Sequence, residues 1–474
     1  MANTLFFYDL ETSGLSASND RIMQFAGQRT DLDLKPIGKP VNHLIRLTED
    51  ILPSPEAILL TGITPQQTIA EGLTEAEFLK LFYSEVAIPN TIFVGFNNVR
   101  FDDEFMRYLN YRNFYDPYEW HWSEGRSRWD FMDVVRMTRA LRPEGIKWPN
   151  DSTGKPSNKL ELITKANKIE HSGAHDALSD VSALIELAKL LKTSQPKLFG
   201  FLFEMMRDKT KLSDLIGSGQ PFVYTSGKYS SDYVKTAVVA SLVSHPKRDG
   251  ALVFDLRFDP EEYSDLSVED LLNLWLNKEE PHLPVQTIFY NRLPAVAPMG
   301  VFDKPSQERL NLSSEDVETN YKKLQRSKSD FGEKMLQVVD KLDKQQTGFT
   351  KDIDVDERLY EGFINPLDKK YMKEIVSIGS DGLAKFEPKF KDDRLNALLP
   401  LYKARNYPKT LSSDEVAKWD EFKKRRLLEG KENSRAGHFF NQISALSSKP
   451  KLTSQESYIL EELRLYAESI IPVD

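Results

Sequence analysis

The 474-residue sequence contains no cysteine, which excludes a disulfide framework and thiolate metal sites. It also lacks a long hydrophobic run, because its longest apolar stretch, residues 237–243, is far too short to cross a bilayer. Its first residues show neither the basic segment nor the apolar segment of a signal peptide. These absences together predict a cytoplasmic protein in a reducing compartment.

An excess of basic residues is missing as well. The chain has 63 Lys and Arg against 72 Asp and Glu, which gives a net charge of −9. Proteins that coat nucleic acid non-specifically are usually basic, since their cations displace counterions from phosphate. The acidic total therefore argues against a coating protein, although it is compatible with an enzyme whose basic groups are gathered in one groove.

The length and the changes of pattern predict three domains. Strand-like and helix-like segments alternate over residues 1–190, which is typical of an α/β domain. Residues 196–348 begin as a small antiparallel β unit, with a hairpin turn expected at Asp249-Gly250, and end in helices. Asp130 is expected to cap a helix in the first part, and Phe331, Met335, Val338 and Leu342 form an apolar stripe on a later helix. A polar linker is expected at 345–350, and residues 351–474 are predicted to be all helical, with Thr453 and Glu456 capping the last helix.

Two carboxylates close the first predicted strand. Asp9 and Glu11 follow an apolar run, and residues two apart in a strand point to the same face. Neighbouring carboxylates repel each other unless a cation lies between them, and hard oxygen ligands suit Mg²⁺ or Mn²⁺. On its own the pair is weak evidence, since most such pairs are solvated.

Two later segments supply further candidates. Asp102 stands where a helix begins after a strand, although Asp102 or Asp103 could simply favour the helix dipole there. Asp180 is in phase with apolar residues of a later helix, so it projects toward the sheet, where an unpaired carboxylate is costly. His175 precedes that helix and can reach the same site, whereas His171 is given no role.

The order Asp-x-Glu, a middle Asp and a final His-x4-Asp resembles the histidine-bearing branch of the DEDD exonuclease superfamily. The resemblance implies that Asp9, Glu11, Asp102 and Asp180 hold two Mg²⁺ ions, with Mn²⁺ as a substitute, and that His175 is the general base. Two such ions can neutralise phosphate, activate water and stabilise the leaving oxygen. A histidine near its ordinary pKa can accept the proton from that water.

Within that superfamily, the chain resembles the exonuclease I family over nearly its whole length. The segments that carry the likeness are 60–66 (LTGITPQ), 95–103 (GFNNVRFDD), 111–118 (YRNFYDPY), 141–146 (LRPEGI), 162–167 (LITKAN), 291–294 (NRLP) and 402–408 (YKARNYP). The likeness implies a ribonuclease H-like α/β exonuclease domain, an SH3-like β domain and an all-α C-terminal domain in a monomer. It also implies 3′→5′ hydrolysis of single-stranded DNA to mononucleotides, in DNA repair and recombination.

The same likeness implies contacts with DNA and with a protein partner. Basic and aromatic groups suit single strands, because phosphates need cations and unstacked bases need flat partners. The positions that match DNA contacts in the family are Arg107, Tyr118, Trp122, Arg136, Lys209, Asn291 and Arg358, with Glu11 at the cleaved end. Lys159 stands where the family commonly has arginine, and it keeps the charge but loses the bidentate fork. Arg142 matches part of the site for the acidic tail of single-strand DNA-binding protein (SSB).

Two alternatives remain at this point. One is a proofreading or RNA-trimming exonuclease of the same superfamily, although such proteins are often a single domain of about 180 residues. The other is a noncatalytic single-strand binding or scaffold protein on an exonuclease-like fold. The complete set of five site residues favours an enzyme.

Overall fold

The fold is that of a computed structural model, which describes residues 2–171, 173, 176–277, 282–346 and 353–472. The predicted linker at 345–350 lies mostly outside this range, although Gln345 and Gln346 belong to the end of a long helix. Among the helices of the described residues, none is both long and apolar enough to span a membrane.

The first region is built on a five-stranded mixed sheet. Its strands are β1 (Thr4–Thr12), β2 (Ile22–Thr30), β3 (Val41–Leu44), β4 (Thr91–Gly95) and β5 (Ser127–Asp130), in the order β3-β2-β1-β4-β5. The central strand β1 pairs antiparallel with β2 and parallel with β4, which is itself parallel to β5. Alternate residues of β1 point to opposite faces and pack into different hydrophobic cores. Leu5 and Phe7 belong to one core, and Phe6 and Tyr8 belong to the other. Because both faces are covered, β1 reads as a continuous apolar run until Asp9.

Seven helices cover this sheet. They are α1 (Pro55–Thr61), α2 (Pro65–Glu71), α3 (Glu75–Leu81), α4 (Asp102–Arg112), α5 (Phe131–Leu141), α6 (Leu160–Ala166) and α7 (Ala177–Ser194). The predicted helices from Asp102, after Asp130 and after Asp176 are confirmed as α4, α5 and α7, and Asp130 caps α5 through Met132 N–H. The short helices α1–α3 were not predicted, since each spans only two turns.

The second region contains a five-stranded antiparallel sheet. Its strands are β6 (Phe222–Thr225), β7 (Thr236–Ser244), β8 (Gly250–Asp255), β9 (Val285–Phe289) and β10 (Ala295–Pro298), in the order β10-β6-β7-β8-β9. The hairpin between β7 and β8 exists, but the prediction of a tight Asp249-Gly250 turn is wrong. Residues 245–249 form a longer loop, and Gly250 opens β8 where a Cβ would lie 2.3 Å from the carbonyl oxygen of Ile288.

Helices surround the second sheet and continue from it. They are α8 (Pro196–Met205), α9 (Lys209–Gly217), α10 (Glu261–Ser264), α11 (Val268–Leu276), α12 (Lys304–Leu310) and α13 (Ser314–Gln346). The predicted apolar stripe of α13 is confirmed: Phe331, Met335 and Val338 are fully buried in the large core that α13 shares with the sheet. The stripe thus fixes α13 against the β unit.

The described part of the third region is helical. After a 3₁₀ segment, Val355–Glu361, it contains α14 (Pro366–Ser377), α15 (Gly379–Leu383), α16 (Asp393–Asn406), α17 (Ser413–Leu428), α18 (Arg435–Ser447) and α19 (Ser454–Ile470). The predicted capping box of Thr453 and Glu456 is confirmed at the start of α19. Leu463 of α19 packs with Met23 and Ile58, so the last helices are joined to the first region by a shared core.

Candidate active site

Three carboxylates converge at the end of β1. Asp9 and Glu11 occupy the same face of that strand, and Asp180 lies in the first turn of α7, which packs across β1 and β2. One ligand oxygen from each of Asp9, Glu11 and Asp180 lies within 4.8 Å of the others. We call these three residues the acidic cluster. A separation of this size lets a single divalent cation contact all three side chains.

The pair Asp102 and Asp103 is divided between two environments. Asp103 is fully buried, accepts a 2.6 Å hydrogen bond from the Tyr8 hydroxyl and forms an ion pair with Arg128. Asp102, the first residue of α4, lies outside the 4.8 Å group, but its charge raises the pKa of Asp9. The bonds of Asp103 are therefore structural, whereas Asp102 adds a fourth carboxylate next to the acidic cluster.

The electrostatics of the cluster are unfavourable without a cation. Burial, followed by the charges of Asp102 and Asp180, raises the pKa of Asp9 well above its usual value. Burial and the charge of Asp9 raise the pKa of Glu11 to about 9. Among the residues described, no Lys or Arg nitrogen lies within 4 Å of Asp9 or Glu11. This arrangement of crowded oxygens without a counter-cation fits a divalent metal ion.

Of the two histidines that precede α7 in the sequence, the structure describes only His171. His175, the predicted general base, lies outside the described residues. His171, to which the sequence gave no role, contacts the Asp180 carboxylate through Nε2, and its Nδ1 lies 3.1 Å from the hydroxyl of Thr164. Sequence spacing alone could not indicate this contact, because it depends on how α6, which carries Thr164, packs against α7.

A second feature is a basic groove of about 960 Å³ between the three regions. Five predicted DNA-contact residues line it: Arg107, Tyr118, Trp122, Lys209 and Asn291. Its lining includes seven Arg or Lys residues and only two acidic ones, Glu204 and Asp208. Trp122 is 61% exposed, and the guanidinium of Arg107 lies 5.6 Å from the ring centre of Tyr118. The groove thus concentrates positive charge and flat surfaces in a protein that is acidic overall.

The remaining predicted contacts lie outside the lining of this groove. Arg136, on α5, pairs with Asp133 at 2.6 Å, and Arg358 pairs with Glu361 at 2.7 Å. Lys159 precedes α6 with its side chain 73% exposed, 3.9 Å from Glu161. Arg142, at the end of α5, pairs with Asp303 at 3.1 Å. Those four residues are therefore placed at separate positions rather than in one site.

The groove also contains residues that the sequence analysis missed. Tyr360 and Phe363, from the third region, form part of its wall, and Phe363 is 93% exposed. Tyr360 donates to Glu104, which also accepts from Arg107 at 2.5 Å and from Arg292 at 3.3 Å. Glu104 thereby joins all three regions beside the groove. The only available signal was aromatic residues close to Arg358, which does not distinguish an exposed ring from a core ring.

An α/β sheet with carboxylates clustered at the end of its first strand, beside a groove of basic and aromatic side chains, defines a metal-dependent nuclease. Family models match in three consecutive parts: "Exonuclease" over residues 6–188, "Exonuclease I SH3-like domain" over 207–341 and "Exonuclease I C-terminal domain" over 353–470. The predicted fold class is thus confirmed, as an exonuclease domain followed by an SH3-like and a helical domain.

Relatives and solved structures agree with these matches. The exodeoxyribonuclease I of Haemophilus influenzae is 39% identical over 434 residues, 90% of each chain. An Exonuclease I from Methylocaldum szegediense is 40% identical, with a TM-score of 0.91 over 99% of this chain and 100% of that one. Escherichia coli Exonuclease I in complex with a dA16 oligonucleotide is 36% identical, with a TM-score of 0.93 over 99% of this chain and 100% of that one. A structure of SSB/Exonuclease I in complex with an inhibitor is 36% identical, with a TM-score of 0.89 over the same shares of the two chains.

The chain belongs to the exodeoxyribonuclease I family and is an exonuclease.

Proposed function

We propose that this exonuclease hydrolyses single-stranded DNA from the 3′ end, releases 5′-mononucleotides and uses two divalent metal ions. The observation that carries the proposal is the convergence of Asp9, Glu11 and Asp180 within 4.8 Å, with no Lys or Arg nitrogen within 4 Å of Asp9 or Glu11 among the described residues. Such a cluster is unfavourable as an isolated structural feature and favourable as a cation site.

Asp9, Glu11, Asp102 and Asp180 are the residues that would hold the ions, with Mg²⁺ as the expected metal. Bound ions of this type supply neutralisation of the phosphate and a lower pKa for the attacking water. The protein's own contribution is to fix the carboxylates: β1 directs Asp9 and Glu11 to one face, and α7 presents Asp180 opposite them. His171 contacts the Asp180 carboxylate through Nε2.

His175 is the proposed general base. In the sequence it stands five residues before Asp180, as in the histidine-bearing branch that the chain resembles, and a histidine is the side chain best suited to accept a proton near neutral pH. Replacement by Ala should lower kcat by about 10²–10⁴-fold. A pH–rate profile that His175→Ala leaves unchanged would assign the base to another group.

The groove supports single-stranded DNA as substrate. The related E. coli enzyme has been crystallised with a dA16 oligonucleotide, and here basic side chains alternate with the exposed rings of Trp122 and Phe363. Unstacked bases can lie on such rings, whereas a base-paired duplex offers only its edges. Arg136, Arg358 and Lys159 are proposed as further phosphate contacts.

A partner is proposed from the same family. A structure of SSB/Exonuclease I is known, and in this chain Arg142 is 30% exposed and paired with one carboxylate, Asp303. An acidic tail could replace Asp303 as the partner of Arg142, because both offer carboxylate oxygens. We further propose that the enzyme acts in the cytoplasm, as a monomer, in DNA repair and recombination.

Digestion of matched oligonucleotides tests the proposal. Single-stranded DNA should be shortened from an open 3′ end, a 3′-blocked strand and a duplex should resist, and a chelator should stop the reaction. Single-stranded RNA of the same sequence should be lost more slowly. Faster loss of RNA would support the RNA-trimming alternative, and shortening that persists when the 3′ end is blocked would overturn the proposed polarity.

A further inference from the structure

Two guanidinium groups converge on one glycine where the first and second regions meet. Gly227 lies in the loop between β6 and β7, and a Cβ added to it would lie 3.0 Å from Nη1 of Arg100. The same position is 3.1 Å from Nη1 and 3.2 Å from Nη2 of Arg136. The glycine therefore leaves the two guanidinium groups room to lie close together, which a Cβ at this position would reduce.

The loop that carries Gly227 adds two lysines. Its ends are closed by a 2.9 Å hydrogen bond from Ser226 N–H to the carbonyl of Lys235, which brings Lys228 and Lys235 to the same end of the hairpin. Lys228 is exposed, and the side chain of Arg100 is 43% exposed. We call Arg100, Arg136, Lys228 and Lys235 the basic cluster.

The charge of the basic cluster is poorly balanced. Asp133 accepts from Arg136 at 2.6 Å and lies 3.9 Å from Arg100. Within the described ranges, neither Lys228 nor Lys235 has a carboxylate oxygen within 4 Å. The Nε of Arg136 is buried and has no hydrogen-bond partner there. Among the described residues, Asp133 is therefore the one carboxylate within 4 Å of any of these four cations, in a chain whose net charge is −9.

A contact that only held the first and second regions together would not need four cations close to one another. Partial burial and the charge of Arg136 lower the pKa of Lys235. Like charges held together in this way cost free energy that an anion recovers. Where this protein joins regions for stability, as between Arg21 and Asp356 or between Arg405 and Asp50, the arginine faces a carboxylate, at 2.9 Å and 2.7 Å respectively.

The position of the cluster indicates which anion it takes. Arg100 follows the carboxyl end of β4, and Arg136 lies on α5, which starts directly after β5. Since β1, β4 and β5 are parallel, their carboxyl ends share one edge of the sheet, and Glu11 lies at that edge too. Asp130 ties these segments together by accepting from the N–H groups of Asn97 and Val99.

We propose that the basic cluster binds a backbone phosphate of the single-stranded DNA, at a distance from the cleaved bond. This inference rests on the proposed single-strand substrate. The resemblance to the family supplied only Arg136, and the structure adds Arg100, Lys228 and Lys235 as its partners. The cluster thus extends the nucleic-acid surface along the sheet edge, beyond the basic groove.

Salt-dependent binding tests the inference. The probe is a fluorescent oligothymidylate of about 16 nucleotides, in EDTA so that it stays intact. Each lost phosphate contact lowers the slope of log Kd against log salt by about 0.7. Arg100→Gln and Lys228→Gln should each lower the slope by up to about 0.7, which makes the loss of affinity between 50 and 200 mM salt up to about 2.6-fold smaller. Lys451→Gln, an exposed lysine between α18 and α19, is the control for the same change of charge.

Four outcomes are distinguished. A reduced slope in both variants with an unchanged control supports the inference. A wild-type slope in both variants, while the wild-type protein still digests single-stranded DNA, overturns it and leaves the proposed function standing. If the two variants bind DNA normally but no longer bind an acidic peptide, the inference is also overturned, because the cluster would then be a binding site for a protein partner. Failure of the wild-type protein to bind the oligonucleotide at all would instead contradict the proposed function.

Discussion

The acidic cluster and a buried ion network show two ways in which this chain removes charges from water. The network lies between the first region and the C-terminal helices and consists of Arg21, Asp50, Asp356, Arg405 and Arg426. Asp356 is fully buried, with Arg405 at 2.7 Å, Arg21 at 2.9 Å and Arg426 at 3.0 Å. Every carboxylate of the network thus faces guanidinium groups.

The two clusters shift pKa values in opposite directions. Burial alone would raise the pKa of Asp356, but Arg405, Arg21 and Arg426 hold it well below its usual value. In the acidic cluster, burial and neighbouring carboxylates act in the same direction and raise the pKa of Glu11 to about 9. Carboxylates that face cations stabilise the fold or are neutral, whereas carboxylates crowded against one another, such as Asp9 and Glu11, lower its stability and favour the binding of a cation.

The largest expected effect separates activity from stability. Asp180→Asn removes one ligand and one like charge from the acidic cluster. We expect hydrolysis of single-stranded DNA to fall by at least about 10³-fold, because several kcal/mol of transition-state stabilisation depend on the bound metal. The free energy of unfolding without metal should stay the same or rise. Rates come from single-turnover digestion and stability from urea unfolding, and a variant with wild-type rate would contradict the assignment of Asp180.

A substitution in the buried ion network should instead lower the free energy of unfolding. Asp356→Asn removes one of the two buried carboxylates that Arg21, Arg405 and Arg426 share, the other being Asp50, and removal of one partner of a buried pair costs about 3–5 kcal/mol. Asp414→Asn is the matched control, since Asp414 is 75% exposed, pairs only with Lys418 among the described residues, and should cost at most about 1 kcal/mol. Urea unfolding of both variants gives the difference. Equal losses would show that the buried network contributes no more than a surface pair.

A smaller effect is expected where a histidine meets the acidic cluster. His171 contacts Asp180 and is itself held by Thr164, so it orients a proposed metal ligand without touching the metal. Loss of such a supporting partner typically costs about 10–100-fold in metal affinity or activity. His171→Ala should therefore raise the Mg²⁺ concentration needed for half-maximal rate, while the rate at saturating Mg²⁺ changes less. A loss of rate that excess Mg²⁺ does not restore would count against a positioning role.

Much of this architecture could be predicted from local pattern. The apolar run before Asp9, the cap at Asp130 and the phase of Asp180 with the leucines of α7 are properties of neighbouring residues, and each predicted its element. Strand β5 was missed because it has four residues, two of them charged, so its burial depends on β4 and the second region. Contacts such as His171 with Asp180 depend on the packing of distant segments, which no spacing encodes.

The basic groove likewise could not be predicted from local sequence pattern. Arg107, Tyr118 and Trp122 were identified by resemblance to a family, and composition alone did not distinguish them from a core patch or a solvated face. Their role as groove lining emerges only when Tyr360 and Phe363 approach from a part of the chain more than two hundred residues away. Glu104 fixes that approach, although in the sequence it appears only as an acidic residue in the first turn of a helix.

The smallest expected effect concerns pH, where the two clusters should act with opposite signs. The lowered pKa of Asp356 means that its contribution to stability is present above about pH 4 and is lost as the pH falls further. The raised pKa of Glu11 means that the metal-free folded protein keeps a proton that the unfolded chain releases. Its stability should therefore decrease as the pH rises from about 5 to about 9.

Magnesium should reverse the second trend, because it binds the deprotonated carboxylates and so stabilises the folded protein more as the pH rises. We expect the increase in Tm on adding Mg²⁺ to be larger at pH 8.5 than at pH 6, by about 2–4 °C for each kcal/mol of added stability. Thermal unfolding with and without Mg²⁺ at both pH values measures this difference. Glu11→Gln cannot titrate at that position, so its two increases should be closer together. Equal increases in the wild-type protein would show that protons and metal do not compete at the acidic cluster, and the contrast between the two buried clusters would then lose its electrostatic basis.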